Sequence, residues 1–259
     1  SLSLSLTMAG HVVFTALARA TGDARYVAMV RKVADLGFDE RGGMRESLPF
    51  HNEFSDSMFM GATIAAQAGA LTGEARYFDL AARHLRFIQA LDLRADGLYR
   101  HQPATDAAWG RGNGFAAFGL ALTLSELPRE HPAYAEVLGS YRAHMAALLP
   151  WQNRDGLWRN VVDHAGAYAE FSSTAMIGLA MQRGLRNGWF DDPAAYRRAV
   201  DRAWRAVNAR TGSDGSVIDV CESTARIESL QGYLEREALL GPDPRGGAMA
   251  MWFAAELMD

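Results

Sequence analysis

Acidic, basic and aromatic side chains recur at matching positions in this sequence, shortly after turns rich in glycine. Asp56, Arg111 and Glu170 each follow such a turn by thirteen or fourteen residues, and His101 and Trp109 lie in the same kind of segment. A carboxyl group can transfer a proton, a guanidinium or imidazole group can bind hydroxyls and carboxylates, and an aromatic face can stack on a sugar ring. Together these residue types indicate a carbohydrate site, in particular one for an acidic sugar.

Each of these residues also has a purely structural interpretation. Asp56 and Glu170 precede predicted helices, where a carboxylate caps the first turn or complements the helix dipole. A loop histidine such as His101 more often supplies a structural hydrogen bond. Arg111 is harder to explain in this way, because it lies among alternating glycines at a predicted helix start. Such glycines destabilise a helix unless another group must approach its backbone.

Internal repeats predict the elements that carry these residues. The hexapeptide of residues 21–26 recurs at residues 72–77 with a single Asp-to-Glu difference, and each copy lies between two segments with apolar residues at helical spacing. Each copy therefore predicts a tight turn between two helices, with glycine ending the first helix. The predicted helix pairs are 6–20 with 26–36, 56–71 with 77–91, 110–127 with 133–148, 170–183 with 193–208, and a final pair near 223–239 with 245–258.

Longer connections between the pairs contain a second repeat. Gly43, Gly97, Gly156 and Gly215 lie in turns at spacings of 54, 59 and 59 residues, each followed by a short alternating stretch with little strand. Since short and long connections alternate, the long ones should lie on one rim around a concave pocket. We predict an all-α (α/α)6-type toroid in a single domain, residues 1–259, one hairpin short at the N-terminus; an open α-solenoid is the alternative.

Composition excludes several classes of function. The net charge is −4 and Lys32 is the one lysine, with no basic cluster for a nucleic acid. No apolar run reaches the roughly 18 residues of a membrane span, so we predict a soluble, cytoplasmic protein. Cys221 is alone and is expected to be a buried structural thiol. Neither metal-ligand spacing nor a nucleotide-binding motif is present, so the residues predict no metal ion and no bound nucleotide.

Five motifs, in order along the chain, resemble those of the unsaturated glucuronyl and rhamnogalacturonyl hydrolases, glycoside hydrolase families 88 and 105, and of family 105 more closely. They are residues 54–60, 97–101, 109–115, 170–176 and 245–248. The resemblance implies an (α/α)6 barrel without metal or organic cofactor. It also implies hydration of the enol-ether double bond of a Δ4,5-unsaturated uronic acid at the non-reducing end of a lyase product.

The resemblance assigns roles residue by residue. Asp56 matches the aspartic acid that protonates C4 while water adds at C5. His101 and Arg111 match positions that line the sugar subsite, and Trp109 belongs to the motif of Arg111.

Further residues of the same motifs are candidates for substrate binding. Asn113 and Phe115 share the motif of Arg111, with Phe115 at a place where the family often has tryptophan, and Glu170 opens the next motif. The family uses a second aspartate from the preceding helix pair, and the 51-residue repeat offset places Ser5 at that position.

Two other functions remain open at this level. A sugar epimerase or isomerase on the same toroid would use two histidines as acid and base, and His51 and His101 lie in successive loops. A non-catalytic carbohydrate-binding relative would retain the rim and lack the acid pair. Hydrolysis of an unsaturated uronyl oligosaccharide is the function we favour.

Overall fold

The computed structural model describes residues 9–46 and 53–258, and most of these lie in helices. The helices are α1 (Val12–Thr21), α2 (Ala24–Ala34), α3 (Thr63–Thr72), α4 (Ala75–Asp92), α5 (Gly110–Glu126), α6 (Tyr134–Leu148), α7 (Phe171–Arg186), α8 (Ala194–Ala209), α9 (Leu230–Leu234) and α10 (Pro244–Met258). A π-helical turn, Met58–Ala62, leads into α3.

The hexapeptide repeat produces two matching helix–turn–helix connections, as predicted. Gly22 after α1 and Gly73 after α3 have φ of 70° and 74°, and their N–H groups donate to Ala18 and Gly69. A side chain at such a φ is strained, so glycine ends each helix.

The long connections share a second turn, also with glycine at positive φ. Gly97, Gly156 and Gly215 have φ of 81°, 94° and 81°. In the first connection the equivalent residue is Gly42, with φ of 78°, and not Gly43 as the sequence predicted. The N–H of Gly42 donates to the carbonyl three residues earlier, as in the other turns, so the repeat alignment shifts by one residue.

Two short antiparallel strand pairs lie in the connections that follow α6 and α8. β1 (Trp158–Arg159) pairs with β2 (Ala169–Glu170), and β3 (Val217–Cys221) pairs with β4 (Ala238–Gly241). The prediction of a long helix over residues 223–239 was wrong, since this segment holds only α9 and β4. It lacks a sustained apolar stripe, and α9 is a single turn that starts where Ser229 accepts a hydrogen bond from Gly232.

The helices form two layers. Helix α5 is buried on nearly all its faces, and α3 and α7 are buried along most of their length, whereas α8 buries a stripe at Ala199, Ala203 and Ala206 with their neighbours. Inner helices α3, α5 and α7 thus alternate with outer helices α4, α6 and α8, which is the α/α toroid predicted from sequence. Within the described ranges, no helix is long and apolar enough to cross a membrane.

Candidate functional site

Asp56 lies two residues before the π-helical turn that leads into the inner helix α3. Its main-chain carbonyl accepts from Phe59 and Met60, both at 3.1 Å. The residue is only 7% exposed, and its Oδ1 accepts no hydrogen bond from any residue that the structure describes. Burial raises the pKa of Asp56 to about 7, although the charge of Arg111 acts in the opposite direction.

This environment does not fit the interpretation of Asp56 as a helix cap. The residue next to the π-helical turn is Ser57, and no side-chain capping bond is made there. A capping carboxylate would have a lowered pKa, because the helix terminus favours its charge. Asp56 instead is an acid that keeps its proton close to neutral pH.

His101 connects Asp56 with the loop after α4. Its Nε2 lies 3.6 Å from Asp56 Oδ1, and its Nδ1 lies 2.7 Å from the hydroxyl of Tyr233. Its carbonyl accepts from the N–H of Ser55 at 3.0 Å, and its ring packs on Trp109 with centroids 4.5 Å apart. The acid and the imidazole are therefore held together by main-chain as well as side-chain contacts.

The Arg111 guanidinium is buried and binds groups on two other elements. Nε donates to Ser172 Oγ at 2.9 Å, and the terminal nitrogens donate to the carbonyls of Cys221 and Glu222. The guanidinium also lies over the ring of Trp109, at 5.3 Å from its centroid. Arg111 thus joins α5, the start of α7 and the end of β3 while placing a positive charge near Asp56.

Close backbone approach explains the glycines around Arg111. A Cβ at Gly110 would lie 2.3 Å from the carbonyl oxygen of Arg159, and one at Gly112 would lie 2.7 Å from Ser55 Oγ. Larger residues here would push the Arg111 segment away from its neighbours.

Glu170 is fully buried and acts as a helix cap, which confirms its structural interpretation. Its carboxylate accepts from the N–H groups of Ser172 and Ser173, at 3.1 and 2.6 Å, and from the N–H of Cys221 at 2.9 Å. Arg111 lies 3.8 Å away. The carboxylate therefore orients the partners of Arg111, and direct contact with a substrate stays a prediction.

Three other predicted residues lie at the start of α5. The Asn113 side chain is fully buried and exchanges hydrogen bonds with the main chain of Tyr99 at 2.8 and 2.9 Å. Trp109 donates from Nε1 to the Asn160 side chain at 3.2 Å. Phe115 is half-buried and stacks on Phe59, with centroids 5.7 Å apart.

Sequence reasoning missed Asp92, the last residue of α4. It is fully buried, and neither of its carboxyl oxygens has a hydrogen-bond partner among residues 9–46 and 53–258. Burial raises its pKa to about 8, with a smaller contribution from the charge of Asp56. The sequence does contain a signal for Asp92. It continues the buried stripe of Leu85 and Ile88 at the C-terminus of a helix, where the helix dipole disfavours a negative charge.

Sequence reasoning also missed Tyr233, because it lies in α9, inside the segment predicted as a long helix. Ser5 and His51 lie outside the described residues. In the described part of the chain, no three His, Cys, Asp or Glu side chains are grouped so that they could hold a metal ion.

The motif resemblance is confirmed by comparison with known proteins. The family model of Glycosyl Hydrolase Family 88 matches residues 3–259. The unsaturated rhamnogalacturonyl hydrolase YesR of Bacillus subtilis is 24% identical over 251 residues, covering 90% of this chain and 70% of that protein. An unsaturated 3S-rhamnoglycuronyl hydrolase of an Alteromonas species is 28% identical over 178 residues, covering 63% of this chain and 42% of that protein.

Solved structures share the fold. A possible member of family GH105 from Salmonella enterica superposes with a TM-score of 0.83 at 22% identity, over 97% of this chain and 71% of that one. A mutant unsaturated glucuronyl hydrolase from a Streptococcus, in complex with dGlcA-GalNAc6S, gives a TM-score of 0.69 at 14% identity, over 98% and 73% of the two chains. With a helical toroid, a buried acid at its rim and a family model that matches nearly the whole sequence, the chain belongs to Glycosyl Hydrolase Family 88.

Proposed function

We propose that this chain releases a Δ4,5-unsaturated uronic acid from the non-reducing end of lyase-generated oligosaccharides by adding water to the C4–C5 double bond. The observation that carries the proposal is the Asp56 carboxyl group, which is buried beside His101 and holds a proton up to about pH 7. An enol ether needs a proton donor of this kind, because its double bond is electron-rich at C4. The two sequence relatives, both hydrolases of unsaturated sugars, support the same class of substrate.

The chemical step is a proton transfer followed by addition of water. The π electrons of the double bond take the proton of Asp56 at C4, and the positive charge that develops at C5 is shared with the ring oxygen. Water adds at C5 and gives its proton to the Asp56 carboxylate, which restores the acid. The hemiketal at C5 then opens to a ketone, and the hemiacetal left at C1 collapses to an aldehyde and releases the next sugar.

The surrounding residues stabilise the charged form of Asp56 and position the substrate. Arg111 lowers the cost of the transient Asp56 carboxylate through its positive charge. We propose that His101, Trp109 and Phe115 line the sugar subsite as predicted. The polar atoms of Asn113 and Glu170 bond within the protein and position the loop of Tyr99 and the partners of Arg111, and contact of either residue with the substrate stays a prediction.

An unsaturated disaccharide from lyase-treated rhamnogalacturonan tests the reaction. We expect the absorbance of the conjugated double bond to disappear and, in D2O, one deuterium to appear at C4 of the released acid. Unchanged absorbance with folded protein contradicts hydration. A changed sugar stereochemistry with the double bond retained favours an epimerase, and binding without any change favours a carbohydrate-binding relative.

Two further proposals concern the whole chain. We propose that residues 1–259 fold as one domain, so that urea unfolding gives a single transition by circular dichroism and tryptophan fluorescence. We also propose a cytoplasmic location, which fractionation of the source cells would test; recovery outside the cytoplasm contradicts it.

A further inference from the structure

Tyr233 is a buried residue that lies beside His101. It comes from α9, in the connection between β3 and β4, and is far from His101 in sequence. Its hydroxyl lies 2.7 Å from His101 Nδ1. Its carbonyl accepts from the side-chain amide of Asn160 at 2.8 Å, and the same Asn160 side chain accepts from Trp109. Tyr233 is thus anchored on the scaffold that also holds the Trp109 ring.

The surroundings of Tyr233 determine the direction of its hydrogen bond. Burial raises the pKa of Tyr233, as do the charges of Asp56 and Asp92, so its hydroxyl keeps its proton. Among the described residues, His101 Nδ1 is the one hydrogen-bond partner of the Tyr233 hydroxyl. Because a buried hydroxyl hydrogen needs an acceptor, the hydroxyl directs its hydrogen to His101 Nδ1.

We propose that Tyr233 is a positioning residue whose hydroxyl donates to His101 Nδ1 and so keeps the ring hydrogen on Nε2, toward Asp56. In a neutral imidazole one nitrogen accepts and the other donates. The Nε2–H group therefore faces Asp56 Oδ1 at 3.6 Å. The inference rests on the proposed function, in which Asp56 becomes a carboxylate after it protonates C4. An N–H dipole stabilises this carboxylate, whereas a nitrogen lone pair at the same place repels it.

The experiment measures the tautomer directly, without substrate. Protein labelled with ¹⁵N-histidine has seven histidines, and the His101 signals are assigned by their loss in His101→Gln. We expect wild type to show an unprotonated Nδ1 and a protonated Nε2. Tyr233→Phe should move both shifts toward the opposite tautomer, because Nδ1 loses its donor. The control is Tyr141→Phe, which removes another buried hydroxyl, bonded to the Ala180 carbonyl at 2.7 Å, and should leave the His101 signals unchanged.

A protonated Nδ1 in wild type overturns the proposal, even if Tyr233→Phe does not fold. Unchanged His101 shifts in a folded Tyr233→Phe overturn it as well. Where wild type hydrates the unsaturated disaccharide, Tyr233→Phe should lower kcat about ten-fold with little change in KM. Absence of turnover in wild type contradicts the proposed function and leaves the tautomer result standing, so the two failures are distinguishable.

Discussion

At the scale of single residues, the site depends on two carboxyl groups that the protein buries without a full set of partners. Asp56 and Asp92 both hold protons at pH values where an exposed aspartate is ionised. A buried carboxylate would be strongly destabilising, so each group remains neutral until its pKa is reached. For Asp56 this neutrality is what a proton donor to carbon requires.

Replacing Asp56 by Asn should separate chemistry from folding. Asp56→Asn keeps the size of the side chain and removes the acid, so we expect turnover of the unsaturated disaccharide to fall by roughly 10²–10⁴. Wild-type turnover should itself fall as pH rises through about 7, where Asp56 loses its proton. Asp79→Asn, at an exposed position on α4, is the matched control and should keep wild-type rates. Equal turnover in both variants would remove Asp56 from the mechanism.

Asp92 should make the stability of the fold depend on pH. Its folded pKa is about 8, against about 3.9 in an unfolded chain. Between these values the unfolded state releases a proton that the folded state retains, so wild type loses stability as pH rises from about 4 to about 8. Relative to wild type, Asp92→Asn should gain about 1–3 kcal/mol over this range. Urea unfolding at pH 5 and pH 8 measures the gain, and a constant difference between the two proteins would contradict it.

At the scale of elements, the site is built where inner helices begin, and at the start of α7 a carboxylate satisfies the first N–H groups. Glu170 caps α7 and also accepts from Cys221 at the end of β3. Arg111 reaches the same two elements from α5. The strands and inner helices at the rim are therefore joined by buried polar contacts as well as by apolar packing.

Removal of the Glu170 side chain should reduce the free energy of unfolding more than removal of a solvent-exposed helix cap does. Glu170→Ala leaves the buried N–H groups of Ser172, Ser173 and Cys221 without their acceptor, and we expect a loss of about 3 kcal/mol in the free energy of unfolding. Asp23→Ala removes the cap of α2, which accepts from the exposed Arg25 N–H, and should cost about 1 kcal/mol. Chemical denaturation measures the free energy of unfolding of both variants. Similar losses would show that burial of the Glu170 cap does not increase its contribution to stability.

At the scale of the whole molecule, α10 packs on the inner helix α7 and so joins the end of the described chain to the toroid. Phe253 is fully buried and packs against Gly178, and Glu256 accepts from Arg183 at 3.0 Å and pairs with Arg186 at 2.9 Å. Only 1% of the Glu256 side chain is exposed. A carboxylate this deeply buried depends on both arginines.

Loss of the Glu256 carboxylate should therefore weaken the attachment of α10. We expect Glu256→Ala to reduce the free energy of unfolding by about 3 kcal/mol, because two partly buried guanidinium groups lose their partner. Glu136→Ala breaks an ion pair with Arg86 that is about half exposed on both sides and should cost at most about 1 kcal/mol. Thermal melts of both variants measure the contrast, and equal melting temperatures would contradict it.

The repeat architecture and the motifs of the candidate site could be predicted from the amino-acid sequence alone. Gly22 and Gly73 end their helices as predicted, and the paired helices form two layers. These features are local, since they depend on backbone conformation at glycine and on the spacing of apolar residues. The same local spacing puts Asp56 and Arg111 at equivalent places in successive repeats, with His101 in the connection between them, and the three side chains lie close together.

Contacts between distant parts of the chain account for the features that no local pattern encodes. Burial distinguishes Asp56, a protonated acid, from Glu170, a cap, although both precede inner helices. The contact of Tyr233 with His101 joins residues 132 positions apart. The segment 223–239, which was predicted as one helix, instead contains α9 and the start of β4. Desolvation and long-range hydrogen bonding depend on which distant groups surround a side chain, and only the assembled toroid brings those groups together.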